Sequence, residues 1–453
     1  MALTKHKEGS FRELWAIALP LMISAFSTVL MIFVDRLFLA HYSLEAHNAV
    51  VNASTMGWVF VYSSMAIASM AEVFVSQYNG AKKNSDVGRP VWQMLWYSLM
   101  TTAFFLPLGI WGSHVIYNGT AFEEMATQYF SWMVCFGPVF SLYSALAAFY
   151  IGRGKTVLVT CLSLFANLVN ALLDYTMIFG VEGFLPQMGV LGAVIATCIG
   201  QLIQASILLF LFLRPSNRKL FGTGNWHLDI PLFKKCLIIG APPAIFYSIE
   251  TFGWAIFYEM MASLGGAHIT VSGICNSMFI LLSFFADGLS KGASVIAGNF
   301  LGARRPNLIK NTLLAGGRFH LIFFCVMAIT LLGFPDAILS LFFSDSINST
   351  FTPELSSSLK TGLLFLMFYM FFEGIRWLIS GLLTAAGDTM FILIAGSVLI
   401  WACLVLPVYL FVVKMHGSVE TAWLIAVIYS ILGLAIYAWR FSQGAWEKID
   451  LLT

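Results

Sequence analysis

Charge is what this chain has least of. Only 10% of its 453 residues are Asp, Glu, Lys or Arg, against about 25% in a typical soluble domain. A chain so poor in charge has too little polar surface to stand in water, which excludes a soluble globular fold. Cysteine is sparse as well: seven residues (135, 161, 198, 236, 275, 325 and 403), none in a Cys-x-x-Cys pair. They read as small core residues, which excludes a disulfide framework and a thiolate metal centre. The eight histidines are scattered and none forms His-Glu-x-x-His, so a zinc hydrolase is not indicated and no enzyme is expected. Gly152-Arg-Gly-Lys-Thr156 resembles the end of a phosphate-binding loop, but Phe149 stands where that pattern needs glycine. A turn between helices is the better reading. The net charge of +2 is spread over loops, so no nucleic-acid partner is expected.

Hydrophobic residues are what the chain has in excess, at 59% with a mean hydropathy of +0.85. A helical span needs about 20 apolar residues. Windows of that kind predict roughly twelve spans, near 14–41, 48–79, 90–118, 124–150, 156–180, 188–213, 232–264, 269–301, 309–343, 354–385, 388–414 and 417–441. The first apolar run is long enough to span and is expected to remain as a helix, not to act as a cleaved signal. Twelve alternating spans with the N-terminus inside place nineteen of the 24 Lys and Arg on one side of the membrane. Only Lys360 and Lys414 fall on the other side, and Arg36, Lys291 and Arg376 fall within spans. The positive-inside rule then predicts a multi-pass protein of the plasma (inner) membrane with both termini cytoplasmic.

The chain also repeats itself. Ala71-Glu-Val-Phe-Val-Ser-Gln-Tyr-Asn-Gly-Ala-Lys-Lys83 aligns with Ala293-Ser-Val-Ile-Ala-Gly-Asn-Phe-Leu-Gly-Ala-Arg-Arg305, 222 residues further on. The same offset puts Pro20 on Pro242 and Gly80 on Gly302. Two apolar halves of equal length are the mark of a pseudo-symmetric carrier. The most polar stretch, from Arg214 to Lys235, lies midway. The expected organisation is therefore an N-lobe over 1–213, a cytoplasmic linker over 214–231 and a C-lobe over 232–453, all-α, with six helices per lobe. Loops elsewhere are too short for a nucleotide-binding domain, so energy must come from a gradient or a partner.

Charges inside spans are expensive and call for a reason. Asp35 lies in the outer half of the first span, beyond Pro20, where a proline invites a kink. Asn167, Asn170 and Asp174 fall on one face of the fifth span, and Thr197 lies on the sixth. Carboxylate, amide and hydroxyl oxygens suit a hard cation such as Na⁺, and a buried carboxylate is also a candidate proton carrier. The second half carries Glu250 on the seventh span and Glu373 on the tenth, with Tyr369 one turn before Glu373 and Arg376 three residues after it. An Arg–Glu pair would satisfy both charges. Asp287 and Lys291, four apart on the eighth span, are expected to pair, the alternative being that Lys291 reaches Glu250 or Glu373 across the cavity. Glu72 and Glu259 are expected near the membrane interfaces.

These pieces together resemble the multidrug and toxic compound extrusion (MATE) transporters of the bacterial NorM-like type. The resemblance rests on Pro20, Val34-Asp35, the twin motifs ending Gly80-Ala81 and Gly302-Ala303, Asn170-x3-Asp174, Gly189-Val-Leu-Gly-Ala-Val-Ile-Ala-Thr197, Gly288-Leu-Ser290 and Gly381-x5-Gly387-Asp-Thr389. It implies a V-shaped pair of six-helix lobes that exports organic cations or amphipathic drugs in exchange for H⁺ or Na⁺, with no other cofactor and as a monomer. It further implies an N-lobe cation site at Asp35, Asn170, Asp174 and Thr197, and a C-lobe site at Glu250, Tyr369 and Glu373, with a hinge at Pro20. The chain departs from the family pattern at Arg36, Lys291 and Arg376, fixed cations that compete with a coupling ion. The alternative is a flippase for lipid-linked precursors, from the same superfamily, whose cavity needs far more cationic charge than three residues provide. A channel also lines its path with charge, but the two-fold repeat and the central linker favour a carrier.

Overall fold

A computed structural model describes residues 3–335 and 353–452. It contains twelve helical spans among the described residues. They are α1 (Phe11–Tyr42), α2 (Leu44–Gly80), α3 (Asn84–Tyr117), α4 (Glu123–Ile151), α5 (Thr156–Phe179) and α6 (Val190–Phe212), followed by α7 (Ile230–Leu264), α8 (Gly266–Gly302), α9 (Asn307–Gly333), α10 (Pro353–Ala386), α11 (Thr389–Lys414) and α12 (Val419–Ser442). Each expected window has its helix. The ninth window runs past Gly333, and its last part, 336–343, lies outside the described residues.

Apolar length makes the helices, and local polar groups set where they begin. Ser10, Ser43 and Asp229 cap α1, α2 and α7 by accepting from the backbone N–H of Glu13, Ala46 and Leu232. The Gly152–Thr156 segment is a turn between α4 and α5, with Gly154 in the left-handed region (φ 73°) and Arg153 lying over the Phe149 ring (4.6 Å) and the Phe221 ring (3.5 Å). The linker contains a short helix, Pro215–Phe221, and is tied to α3. Trp92 and Trp96 donate to the carbonyls of Thr223 and Trp226, and Arg89 reaches Asp229 at 2.7 Å. It therefore travels with the N-lobe.

The cores show a crossing that hydropathy alone does not reveal. Leu14, Ile17, Ala18 and Met22 of α1 are buried in the C-lobe core, while Leu39, beyond Pro20, is buried in the N-lobe. The seventh span does the reverse. Leu232, Cys236 and Ile239 of α7 belong to the N-lobe core, and Phe246, Phe257 and Met261, beyond Pro242 and Pro243, belong to the C-lobe. Thus each lobe lends the first part of a helix to the other, and a proline lies near each crossing. Proline removes an i to i−4 hydrogen bond, so the backbone is weakest where the helix passes from one rigid body to the next.

The lobes close on each other at the face that carries the basic loops. The twin motifs make this seam. Gly80 and Gly302 have no Cβ, and one added at Gly80 would sit 2.0 Å from the carbonyl oxygen of Asn299. One added at Gly302 would sit 1.9 Å from that of Gln77. Gln77 donates its amide to the Ala385 carbonyl (2.8 Å), and Asn299 donates its amide to the Gly152 carbonyl (3.0 Å). Positions 77 and 299 are repeat counterparts, and so are the two turns, Gly152–Thr156 and Ala385–Thr389. The clasp is thus made twice, once from each side. Lys82 and Arg304, also counterparts, both take positive φ (58° and 56°) to turn the chain just after the glycines. Further in, Ser63 meets Ser248 at 2.9 Å and Tyr62 stacks against Tyr247 at 4.3 Å between ring centres.

Two acidic sites on opposite sides of the seam

The N-lobe site is built on a seam between α1 and α5. Thr160 donates to the carbonyl of Pro20 (2.7 Å), Asn167 donates to the Ser27 hydroxyl (2.8 Å), and Asp174 lies against Asp35. The steps along each helix are close to seven residues, two turns, so one stripe of each helix faces the other throughout. One end of this stripe holds Pro20 and the far end holds the two carboxyls. Asp174 is fully buried and Asn170, beside it, is 1% exposed. Both oxygens of Asp174, Oδ1 of Asp35 and both amide atoms of Asn170 are buried with no hydrogen-bond partner outside this trio among the described residues. Two acidic side chains facing one another in low dielectric cannot both stay ionised unless a positive charge lies between them. The orphaned oxygens and the hard-donor chemistry fit H⁺ or Na⁺ as that charge.

Thr197 donates its hydroxyl to the Ala193 carbonyl of its own helix (3.1 Å), which leaves only oxygen lone pairs for a ligand. Tyr129 of α4, which sequence reasoning passed over, is 8% exposed and lies within electrostatic range of both carboxyls. No signal in one sequence separates it from the other aromatics.

The C-lobe site is put together differently. Glu250 of α7 and Glu373 of α10 come together, but around Arg376. The guanidinium donates through Nε to Glu373 Oε2 (2.9 Å), through Nη2 to Glu373 Oε1, and through Nη2 again to Glu250 Oε1 (3.0 Å). Trp377 donates to Glu373 Oε1 (2.8 Å) and Tyr429 donates to Glu250 Oε1 (3.4 Å). The side chains of Arg376 and Glu373 are each 3% exposed, that of Glu250 18%. Tyr369 packs its ring on Trp254 and Phe279.

Lys291 pairs with Asp287 at 2.9 Å, as its spacing predicts, and does not reach the glutamates. Glu72, expected near the cytoplasmic interface, lies near enough to Lys291 for the two charges to act on each other. This is because α2 bends at Met70 and turns its last helical segment against α8. Gly288-Leu-Ser290-Lys-Gly292 spells a nucleophile-elbow pattern, yet it lies inside the continuous helix α8 and the Ser290 hydroxyl donates to the Trp377 carbonyl (2.8 Å). It is a packing residue. Among the described residues no group of three or more His, Cys, Asp or Glu is placed to hold a metal ion. A charged cavity of about 1000 Å³ lies at the seam on the basic face, with Lys82, Lys83 and Arg304 set against Glu447 and Asp450.

Twelve spans in two lobes that exchange half-helices at prolines, clasped through a repeated motif, define a pseudo-symmetric membrane transporter. The MatE family profile matches residues 20–176 and 242–410, one stretch in each lobe, and the chain belongs to the MatE family, the transporters of the MATE type. It is similar over nearly its whole length to a probable multidrug resistance protein NorM of Thermotoga maritima, at 25% identity over 98% of this chain and 94% of that protein. A Bacillus thuringiensis relative, also described as a probable multidrug resistance protein NorM, is 25% identical over 84% of each chain. Among solved structures, a multidrug resistance MATE family transporter of the MOP superfamily in an outward-facing conformation superposes with a TM-score of 0.85 at 15% identity, over 98% of this chain and 97% of that one. A MOP superfamily transporter from Pyrococcus furiosus superposes at 0.84 with 16% identity, over 98% and 97%. These structures share the fold.

Proposed function

We propose that this protein is a multidrug efflux transporter that exports organic cations or amphipathic drugs by antiport against H⁺ or Na⁺. Its relatives are described as multidrug resistance proteins, and the basic face, which carries nineteen of 24 Lys and Arg, is cytoplasmic by the positive-inside rule. The observation that carries the reading is the cluster of Asp35, Asp174 and Asn170. It is a buried acidic site in which neither carboxyl makes an ion pair among the described residues, joined by one continuous helix to a proline near which that helix changes lobes.

The mechanism follows from that connection. A cation between Asp35 and Asp174 draws the outer half of α1 onto α5. Its release lets the carboxyls repel, and the only soft point available to absorb the movement is Pro20. Because the first half of α1 is packed in the C-lobe, bending at Pro20 changes the angle between the lobes. Substrate and coupling ion thereby weaken each other's binding, and the effect is reciprocal. Thr197 and Asn170 supply neutral oxygens to whichever cation is held.

The test uses the full-length protein in liposomes, with an imposed pH or Na⁺ gradient and ethidium as the fluorescent organic cation. Driven movement that disappears in Asp35→Asn and in Asp174→Asn is the expected result. Unaltered movement in those variants sinks the reading.

A further inference from the structure

We propose that Arg376 is a resident cation: its guanidinium stands where an exchangeable ion would sit between Glu250 and Glu373, and it closes the C-lobe acidic site to Na⁺. This rests on the reading of the acidic sites as cation holders, and it divides their labour. Only the N-lobe site can take an ion from solution.

The geometry supports a permanent tenant. Arg376 and Glu373 are three residues apart on α10, one turn, so their paired contacts move with the helix whatever the lobes do. The planar fork matches a carboxylate in two places, and arginine is always protonated in a protein. It can neither leave nor be neutralised. The pocket around it is closed to fit. The Tyr437 ring lies 5.2 Å from the guanidinium carbon and the Phe246 ring 6.0 Å. On the third side Gly433 leaves space for the Arg376 stem, since a Cβ there would meet Cδ at 2.9 Å. A Na⁺ ion needs several oxygens at close range. Here three of the four carboxylate oxygens already accept from Arg376, Trp377 or Tyr429, and admitting the metal would push a buried guanidinium away from its counter-ions. Glu250 is also the member on a different helix, α7, seven residues beyond Pro243. Arg376 thus fastens α10 to the half of α7 that lies in the C-lobe core.

Removing the tenant should reopen the site. We would measure thermal unfolding of the purified full-length protein in sodium chloride and in choline chloride at equal ionic strength, in a background carrying both Asp35→Asn and Asp174→Asn so that the N-lobe is silent. With Arg376 intact, the midpoint is expected to be the same in both salts. With Arg376→Ala it should fall in choline chloride, then recover by several degrees, saturably, when Na⁺ or guanidinium ion is added. A Na⁺-specific rise with Arg376 in place would overturn the proposal, as would an Arg376→Ala protein equally unstable in every salt and unrescued by guanidinium. If Arg376→Ala does not fold, the protein carrying Asp35→Asn and Asp174→Asn alone still decides, through the presence or absence of a Na⁺-specific rise. The antiport reading fails separately, by unaltered ethidium transport in Asp35→Asn. The salt comparison reports binding and stands without it.

Discussion

The two lobes share an architecture and handle buried acid in opposite ways. By the repeat offsets, Asp35 and Asp174 fall on Phe257 and Pro407, so the polar seam between α1 and α5 is an apolar seam between α7 and α11, where Gly253 receives Ile400 and Gly396 receives Phe246. The C-lobe places its acids elsewhere, between α7 and α10, and supplies their counter-charge from its own chain. In one lobe two facing acids without an ion pair among the described residues create a demand that an ion from solution can meet. In the other the demand is met at folding. A buried carboxylate therefore says little until its partner is known.

The largest expected effect breaks the comparison on the N-lobe side. Asp35→Asn and Asp174→Asn should abolish gradient-driven transport while leaving the unfolding midpoint unchanged or raised, because each removes one of two repelling carboxyls. Transport lost together with the fold would instead make the cluster structural. Next in size is the mirror experiment. Glu373→Gln strips Arg376 of its forked partner, and breaking a buried pair from one side costs about 3–5 kcal/mol, which should appear as a clear fall in the midpoint under chemical or thermal denaturation. A Glu373→Gln protein as stable as its parent would mean that the guanidinium is solvated after all.

The seam between the lobes should respond about equally from both sides. Gly80→Val and Gly302→Val each force a side chain into a carbonyl, and overpacking of this kind costs about 1–3 kcal/mol. Both should speed labelling of a cysteine placed at Ser76 by a maleimide added on the basic face. If only one of them does, the clasp is not symmetric in energy. The smallest effect belongs to Lys291, whose side chain is half exposed. Lys291→Gln should change stability by less than about 1 kcal/mol, and a larger fall would place it in a tighter network with Glu72 than its one ion pair implies.

Most of the fold was legible because the membrane dictates it: each apolar window became a helix, and the proline and glycine pairs of the repeat fell on hinges and on the clasp. The N-lobe cluster was legible in part, since Asn167, Asn170 and Asp174 share a face by spacing alone. Their partner stripe on α1 was not, because nothing in the spacing joins Pro20 and Ser27 to Thr160 and Asn167 until the two helices are seen to meet. Arg376 bridging to Glu250 was hidden by 126 residues of intervening chain. Sequence placed the arginine beside one glutamate and offered no way to choose the second. The exchange of half-helices was hidden for another reason: both halves of α1 are equally apolar, so hydropathy cannot say which core each one enters.

The clasp has an implication for the protein's origin. A contact in which residue i touches j while the counterpart of j touches the counterpart of i is isologous, the arrangement found in two-fold homodimers. Gly80 against Asn299 and Gly302 against Gln77 satisfy that rule inside one chain, as do Ala18 against Gly292 and Met70 against Gly240. A half-length polypeptide bearing this motif would have had a ready surface for pairing with its own copy. Fusion of two such copies made the pairing permanent and let the halves drift apart. Glutamine on one side of the clasp and asparagine on the other mark drift that the symmetry tolerates, and the paired glycines mark where it tolerates none.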